Sequence, residues 1–160
     1  MKKVLIITYY WPPTGGSGVQ RWLKFCKYLP EFGYEPIVFT PENPGFINLD
    51  QDLLKEVAQD LEVLKLPIWE PYSLVSRITG KEAHQKAVNV SRNKGLTSKI
   101  GAWVRGNLLI PDPRRFWINP AVKFLKSWLP DSGVDLVITT GPPHSMHLIG
   151  FKLKQKLKLK

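Results

Sequence analysis

The sequence predicts an α/β protein in which helices flank a Rossmann-like parallel sheet. Apolar runs without polar alternation recur along the chain, as is typical of strands that are buried on both faces. Stretches with helical periodicity separate these runs, and the resulting β-α-β-α-β order favours parallel strands joined by right-handed crossovers. The predicted strands span residues 4–9, 36–40, 61–66 and 135–140.

Length and composition support one globular core. The chain has 160 residues, of which 43% are hydrophobic and 22% charged, so it can bury a full core and lacks the composition of a disordered protein. Its single cysteine, Cys26, excludes an internal disulfide framework and fits a reducing compartment. Because Cys26 falls on the apolar face of the first predicted helix, we interpret it as a buried, unreactive thiol.

The first ten residues imitate a short signal peptide, but we interpret them as the first strand. Their apolar run is brief, and bulky residues and two prolines follow it where a signal peptide has small residues at a cleavage site. No run of the sequence approaches the roughly 20 apolar residues of a membrane span. We therefore expect a cytoplasmic protein.

The chain is strongly basic, with a formal net charge of +10. Such a charge permits nucleic acid, an anionic membrane surface or an anionic substrate as the partner. Much of it lies in the lysines of residues 152–160. Charge alone therefore does not decide among these partners.

The first two predicted helices follow the first and second strands. The first has an apolar stripe of Val19, Trp22, Leu23, Cys26 and Leu29. Pro30 limits its length, and Gly33 is its predicted stop. A short second helix is predicted over residues 53–61.

Two further helices are predicted towards the C-terminus. Asn119 is the expected N-cap of the third, with Pro120 at its first position. Its apolar stripe is Ala121, Val122, Leu125, Trp128 and Leu129. Ser145 is the expected cap of the last helix, whose apolar face carries Met146, Ile149, Leu153 and Leu157.

The pattern loosens between residues 67 and 115. Helical pieces are predicted around residues 72–79, 82–92 and 96–108, and the middle piece is polar and basic. An excursion of this length between two strands is typical of a functional or mobile segment. Two interpretations stay open, a solvated helix pair and a surface that contacts a membrane or an acceptor.

Two loops with unusual chemistry follow the first and fourth strands. The first is WPPTGGSG, within the stretch from Thr8 to Trp22, and the second is TGPPHS. In a doubly wound sheet of order 3-2-1-4-5-6 these strands are neighbours, so both loops should flank one crevice. Glycines bring backbone amides close to a ligand, and the following helix presents its partly positive N-terminus. The arrangement favours an anionic ligand, and a phosphate group fits it best.

An ordinary dinucleotide site does not fit this turn. Arg21 stands where the third glycine of the G-x-G-x-x-G pattern would allow close helix–strand packing. The second strand ends without an acidic residue placed for a ribose, since Glu42 lies beyond Pro41.

The segment YYWPPTGGSGVQRWLKFCKYLPEFGYEPIVFTPE resembles the N-terminus of family 4 retaining glycosyltransferases of the two-Rossmann-domain (GT-B) fold. DLVITTGPPHSMHLIG is similar to the fourth-strand turn of a bacterial subgroup with a proline pair there. The resemblance covers essentially the whole chain, more loosely in the middle. It implies transfer of a sugar, with retention, from a nucleotide-sugar donor to a glycan or lipid-linked acceptor in polysaccharide or cell-envelope biosynthesis.

The resemblance also implies roles for particular residues. Gly15, Gly16, Gly18 and Arg21 would hold the donor phosphates, although Gly18 could serve only the turn and Arg21 only the surface. The acceptor pocket would comprise Trp11, Thr14, Thr140, Gly141, His144 and Ser145. No catalytic residue is assigned, because relatives place a histidine directly at the end of the fourth strand and this chain has Thr140 and Gly141 there.

The resemblance implies no metal or other cofactor besides the donor, which is a substrate. His144 and His147 lack a third ligand at suitable spacing. Residues 1–160 correspond to an incomplete acceptor-side domain that stops before the family's fifth strand, and the nucleotide-sugar-binding domain is not part of the sequence. The fragment is therefore expected to be inactive alone, with peripheral contact to the inner membrane as a further expectation.

Two other classes of function stay open. One is a stand-alone Rossmann module that binds a nucleotide or another anion. The other is a basic nucleic-acid-binding protein, although the sequence has no helix-turn-helix, zinc or ribonucleoprotein pattern.

Overall fold

Four parallel strands form one sheet in the computed structural model, which describes residues 1–45, 49–70, 103, 106–107 and 109–158. The strands are β1 (Lys2–Ile7), β2 (Tyr34–Pro41), β3 (Glu62–Leu66) and β4 (Val134–Thr139). Their spatial order is β3-β2-β1-β4, and every neighbouring pair is parallel. The predicted Rossmann-like α/β fold is thereby confirmed, including the pairing of the first and fourth strands.

The two central strands are buried on both faces, as their uninterrupted apolar sequences predict. Side chains from Val4 to Ile7 are at most 1% exposed, and Ile37 to Phe39 are buried to the same extent. The prediction that β4 is equally buried is wrong, since Asp135 and Leu136 are exposed. Within the described residues β4 pairs with a strand on one side only. Its other edge therefore has no neighbouring strand in the described part of the chain, whereas β1 and β2 have one on each side.

The first two helices lie where the sequence places them. Helix α1 (Ser17–Tyr28) buries Val19, Leu23 and Cys26 against the sheet. A 3-10 helix, Leu29–Phe32, carries Pro30 near its start and ends at Gly33, whose φ of 81° suits glycine. Helix α2 (Asp52–Lys55) is short and buries Leu53.

Helix α3 (Arg115–Ser132) begins five residues before the predicted start, so the assignment of Asn119 as N-cap is wrong. Pro120 lies inside the helix, where it cannot donate to the carbonyl of Phe116. The extra first turn places Trp117 and Ile118 in the core, at 1% and 5% exposure. We attribute the early start to this burial, which offsets the lost hydrogen bond.

Helix α4 (Ser145–Leu157) buries the predicted face through Met146, Ile149 and Leu153. The expectation that Ser145 caps this helix is wrong by one residue, because the N-cap is His144. The Ser145 hydroxyl donates to Asp112 Oδ1 at 2.9 Å, and no described side chain caps the helix.

Helices cover both faces of the sheet. On one face α3 and α4 pack against β1 and β2, with Trp117 stacked on Phe39 at 5.0 Å between ring centroids. On the other face α1 packs with Trp11 and Leu53. Burial on this second face raises the pKa of the Cys26 thiol to about 12, in agreement with an unreactive cysteine.

Most of the loosely patterned middle of the chain lies outside the described residues. This applies to the helices predicted over 72–79 and 82–92. Of the piece predicted over 96–108, Trp103, Gly106 and Asn107 are described, and all three are helical. Among the described residues, no helix combines the length and the apolar character needed to span a membrane.

Candidate functional site

The loops that follow β1 and β4 lie side by side at the carboxyl edge of the sheet, as the sequence predicts. The Thr140 amide donates to the Ile7 carbonyl at 3.0 Å, which extends the pairing of the two strands into the loops. The Thr140 hydroxyl donates to Thr8 Oγ1 at 3.1 Å, and the Thr8 hydroxyl donates to the Tyr10 carbonyl at 3.1 Å. This buried chain of hydroxyls holds the two loop starts together.

A cavity of about 350 Å³ lies between these two loops. It is lined by all four residues predicted for phosphate binding and by two of those predicted for the acceptor: Gly15, Gly16, Gly18, Arg21, Thr140 and Gly141. Thr8, Tyr10 and Pro142 complete much of the wall. Residues that are more than a hundred positions apart in the sequence thus share one concave site.

Gly16 shapes the glycine-rich wall of the cavity. Its backbone, at φ 128° and ψ 162°, is in a region that is essentially reserved for glycine. This conformation turns the chain directly into α1, and the Gln20 amide closes the first helical turn onto the Gly16 carbonyl. The amides of the first turn have no intrahelical partners, and no side chain in the described part of the protein caps them beside the cavity.

The glycine-rich loop is also fixed from outside the cavity. The Asp50 amide donates to the Pro13 carbonyl at 2.7 Å, and Thr14 forms a β-bridge with Leu49. Within the loop, the Thr14 amide donates to the Trp11 carbonyl at 3.0 Å. The loop therefore has a defined shape without any ligand.

The charge of the cavity wall is positive. Arg21 is exposed on α1 and lines the cavity, and no carboxylate does so in the part of the chain that the structure describes. The partial positive charge of the α1 N-terminus adds to that of Arg21. Chemically, this wall suits a phosphate or diphosphate and would repel a cation.

The remaining predicted acceptor residues do not line this cavity. Trp11 is 3% exposed and lies in the core beside α1. Thr14 is 5% exposed, and its buried hydroxyl has no hydrogen-bond partner among the described residues. Ser145 is fully buried, and both its amide and its hydroxyl donate to the Asp112 carboxylate. His144 is exposed, with its ring 5.9 Å from that of His147.

The sequence reasoning missed a buried polar cluster at the same sheet edge, formed by Tyr9, Glu70 and Arg114. The Tyr9 hydroxyl donates to Glu70 Oε1 at 2.8 Å, and the Gly45 amide donates to Oε2 at 2.7 Å. Arg114 Nε lies 3.0 Å from Glu70 Oε1, a distance typical of an ion pair, although its N–H direction does not meet hydrogen-bond geometry. The guanidinium carbon of Arg114 lies 4.8 Å from the centre of the Tyr9 ring.

The electrostatics of this cluster favour a neutral tyrosine beside a charged pair. Burial raises the pKa of Tyr9 well above its ordinary value, so the phenol stays protonated and its O–H donates a hydrogen bond to Glu70. Burial alone would lower the pKa of Arg114, but Tyr9 and Glu70 outweigh it and the pKa is raised. One signal could have pointed to Glu70: it follows β3 by four residues, and the carboxyl ends of parallel strands collect functional groups.

The described residues contain no group of three or more histidine, cysteine, aspartate or glutamate side chains that could hold a metal ion. Comparisons with protein-family models, with curated proteins and with solved structures find no match to this chain.

Proposed function

We propose that this chain is the N-terminal, acceptor-holding part of a retaining glycosyltransferase with two Rossmann domains. The donor would be a nucleotide sugar, and the acceptor a glycan or a lipid-linked glycan. The observation that carries the proposal is the cavity between the β1 and β4 loops, with a glycine-formed helix N-terminus and Arg21 on its wall. This is the position at which ligands bind in open α/β sheets.

In the proposed reaction, the bond between the anomeric carbon of the sugar and the diphosphate oxygen breaks. A new bond forms from that carbon to an acceptor hydroxyl, whose proton passes to a base that we do not assign. Negative charge then develops on the departing diphosphate. Amide donors of Gly16, Ser17 and Gly18, together with Arg21, would stabilise this charge without reorganising, because the loop is already fixed.

In this proposal, the domain forms one side of the cleft in which the donor and the acceptor meet. A second domain would supply most donor contacts, so we expect the chain alone to be inactive and to bind donors weakly. We also propose peripheral contact with an anionic membrane, which the net charge of +10 would favour. The acceptor side of the site would lie on the loops of this domain.

Amide chemical shifts test the proposal at residue resolution. Uridine diphosphate, added at millimolar concentration, should shift the amides of Gly16, Ser17 and Gly18 in a saturable manner. Uridine, which lacks the phosphates, is the matched control and should leave them unchanged. Equal shifts with uridine, or shifts confined to other parts of the sheet edge, would contradict the proposal.

A second candidate is a stand-alone module that binds a nucleotide or another anion. It is favoured by the fact that the cavity is formed entirely within this chain and needs no second domain for its shape. The two candidates differ in affinity. A stand-alone module should bind its ligand at about 10 µM or tighter, whereas half of a cleft should not.

A further inference from the structure

Two exposed aromatic rings lie in contact near the carboxyl edge of the sheet. Trp69 follows β3 and is 52% exposed, and Phe116, in the first turn of α3, is 42% exposed. Their ring centroids are 4.9 Å apart, with an interplanar angle of 83°. We call this pair the aromatic platform. Neither side chain contributes to the two core clusters, so the core does not explain why large rings are placed here.

The buried cluster described above joins the two chain segments that carry the aromatic platform. Glu70 adjoins Trp69 in the sequence, and Arg114 lies two residues before Phe116, so the Glu70–Arg114 ion pair joins the two segments that carry the rings. The Ile68 amide donates to Asn43 Oδ1 at 2.8 Å, which fixes the Trp69 segment from its other side. Rings held by such contacts lose little conformational entropy when a ligand binds.

The platform is connected to the proposed phosphate cavity through two tyrosines. Tyr9 donates to Glu70, the residue after Trp69, and its ring meets the Tyr10 ring at 4.9 Å in an edge-to-face contact. Tyr10 lines the cavity. The platform and the cavity thus share one sheet edge and one continuous set of contacts.

The exposed area of the platform limits the kind of ligand. A tryptophan and a phenylalanine ring that are about half exposed offer on the order of 200 Å² of accessible surface. A stable protein interface needs about 800 Å² from each partner, several times more than these rings provide. An area of this size matches the apolar face of one or two sugar rings.

The polar group beside the platform fits the same ligand. The Arg114 side chain is 23% exposed, and its planar guanidinium has five N–H donors, one of which donates to the Tyr9 hydroxyl at 3.4 Å. A pyranose has one face of C–H groups and a rim of hydroxyls, so it needs an apolar surface with donors at its border. The Glu70–Arg114 pair has no net charge and so suits a neutral ligand.

We propose that Trp69 and Phe116 form a stacking subsite for a neutral pyranose ring, with Arg114 hydrogen-bonded to its hydroxyls. The assignment of this sugar as the acceptor rests on the proposed function. The subsite itself does not rest on the proposed function. It follows from the two exposed rings, from the Glu70–Arg114 pair that joins their segments, and from their position at the carboxyl edge of the sheet.

Fluorine NMR of the full chain, labelled with 5-fluorotryptophan, tests the subsite directly. Maltotriose, cellotriose and mannotriose are titrated separately to tens of millimolar concentration. At least one trisaccharide should shift the Trp69 signal in a saturable manner, whereas the signal of Trp117, which is 1% exposed, should stay unchanged. The signals are assigned from Trp→Phe variants.

Two variants and one matched control test the role of the second ring. Phe116→Leu keeps an apolar side chain but removes the ring and should weaken trisaccharide binding by about 3- to 10-fold. Phe116→Ala should weaken it at least as much. Phe25→Ala is the control, because Phe25 is a 50% exposed ring in a similar edge-to-face pair with Trp22 on α1 and should leave binding unchanged.

The proposal is overturned if no trisaccharide shifts the Trp69 signal, or if Phe25→Ala weakens binding as much as Phe116→Leu. If vesicles containing phosphatidylglycerol, but no sugar, shift the Trp69 signal while every trisaccharide leaves it unchanged, the rings belong to a membrane contact and the sugar subsite is overturned. A response of Trp69 without a diphosphate response at Gly16 would support the subsite and contradict the transferase. A diphosphate response at Gly16 without a trisaccharide response of Trp69 would refute the subsite and remain consistent with the proposed transferase.

Discussion

Substitution of Gly16 by alanine tests whether backbone geometry, and not packing, places glycine at the start of α1. Apart from the two adjoining residues, no atom in the described part of the chain lies within 4 Å of an added methyl group, so there is no clash to relieve. The backbone at φ 128° and ψ 162° is nevertheless strained for any residue with a Cβ, at a cost of about 1–3 kcal/mol. We expect Gly16→Ala to lower the free energy of unfolding by that amount.

Gly18→Ala is the matched control two residues along the chain. A methyl group there also meets nothing within 4 Å, but Gly18 lies inside α1 and has no positive φ. Alanine in a helix is favoured over glycine by about 0.5–1 kcal/mol, so this variant should be more stable than the wild type. The two variants should therefore differ by about 1.5–4 kcal/mol in free energy of unfolding, which corresponds to about 3–16 °C in Tm for a chain of this length.

Urea unfolding followed by circular dichroism measures both variants under the same conditions. Gly16→Ala should lower the free energy of unfolding, and Gly18→Ala should raise it. If Gly16→Ala were as stable as Gly18→Ala, the strained turn would not exist in solution, and the amide-lined wall of the cavity would have to be abandoned.

Three further predictions concern the buried cluster, the cysteine and the donor. Glu70→Gln should lower the free energy of unfolding by about 1–3 kcal/mol, because it leaves the largely buried Arg114 without its counter-charge; urea unfolding no different from the wild type would count against the ion pair. Because the folded-state pKa of Cys26, about 12, exceeds its unfolded value, its contribution to stability is complete below about pH 9 and is lost as the pH rises. Stability should therefore fall at up to about 1.4 kcal/mol per pH unit above pH 9, and less steeply in Cys26→Ala, as thermal unfolding at several pH values can show. Calorimetric titration of the chain with common sugar nucleotides should be flat, and low-micromolar binding of any of them would refute the view that this domain is half of a cleft.

The strands and helices that depend on local sequence could be predicted. Their order along the chain also predicted that the loops after β1 and β4 meet. The apolar run from Val4 to Ile7, the glycine-rich turn and the α1 stripe each carry their own signal within a few residues. The alternation of strands and helices then brings the loops after β1 and β4 together, because the handedness of crossovers leaves few alternatives. For this reason, the position of the cavity between the two loops could be predicted from the sequence.

Features that depend on distant neighbours could not be predicted. The burial of β4 depends on how many strands flank it, which its own sequence does not encode. The start of α3 was misplaced because Asn119–Pro120 has the local signature of a helix N-terminus, whereas the core contacts of Trp117 extend the helix backwards. The hydrogen bonds from Tyr9 to Glu70 and from Ser145 to Asp112 span 61 and 33 positions, and no periodic pattern in the sequence indicates such pairs.

Phosphorus NMR of uridine diphosphate tests the central claim most directly, because it observes the ligand group that the cavity is proposed to hold. Addition of the wild-type chain should shift both phosphorus signals, and Arg21→Gln should reduce these shifts while leaving the fold intact. Shifts of the uracil and ribose protons with unchanged phosphorus signals would contradict the account.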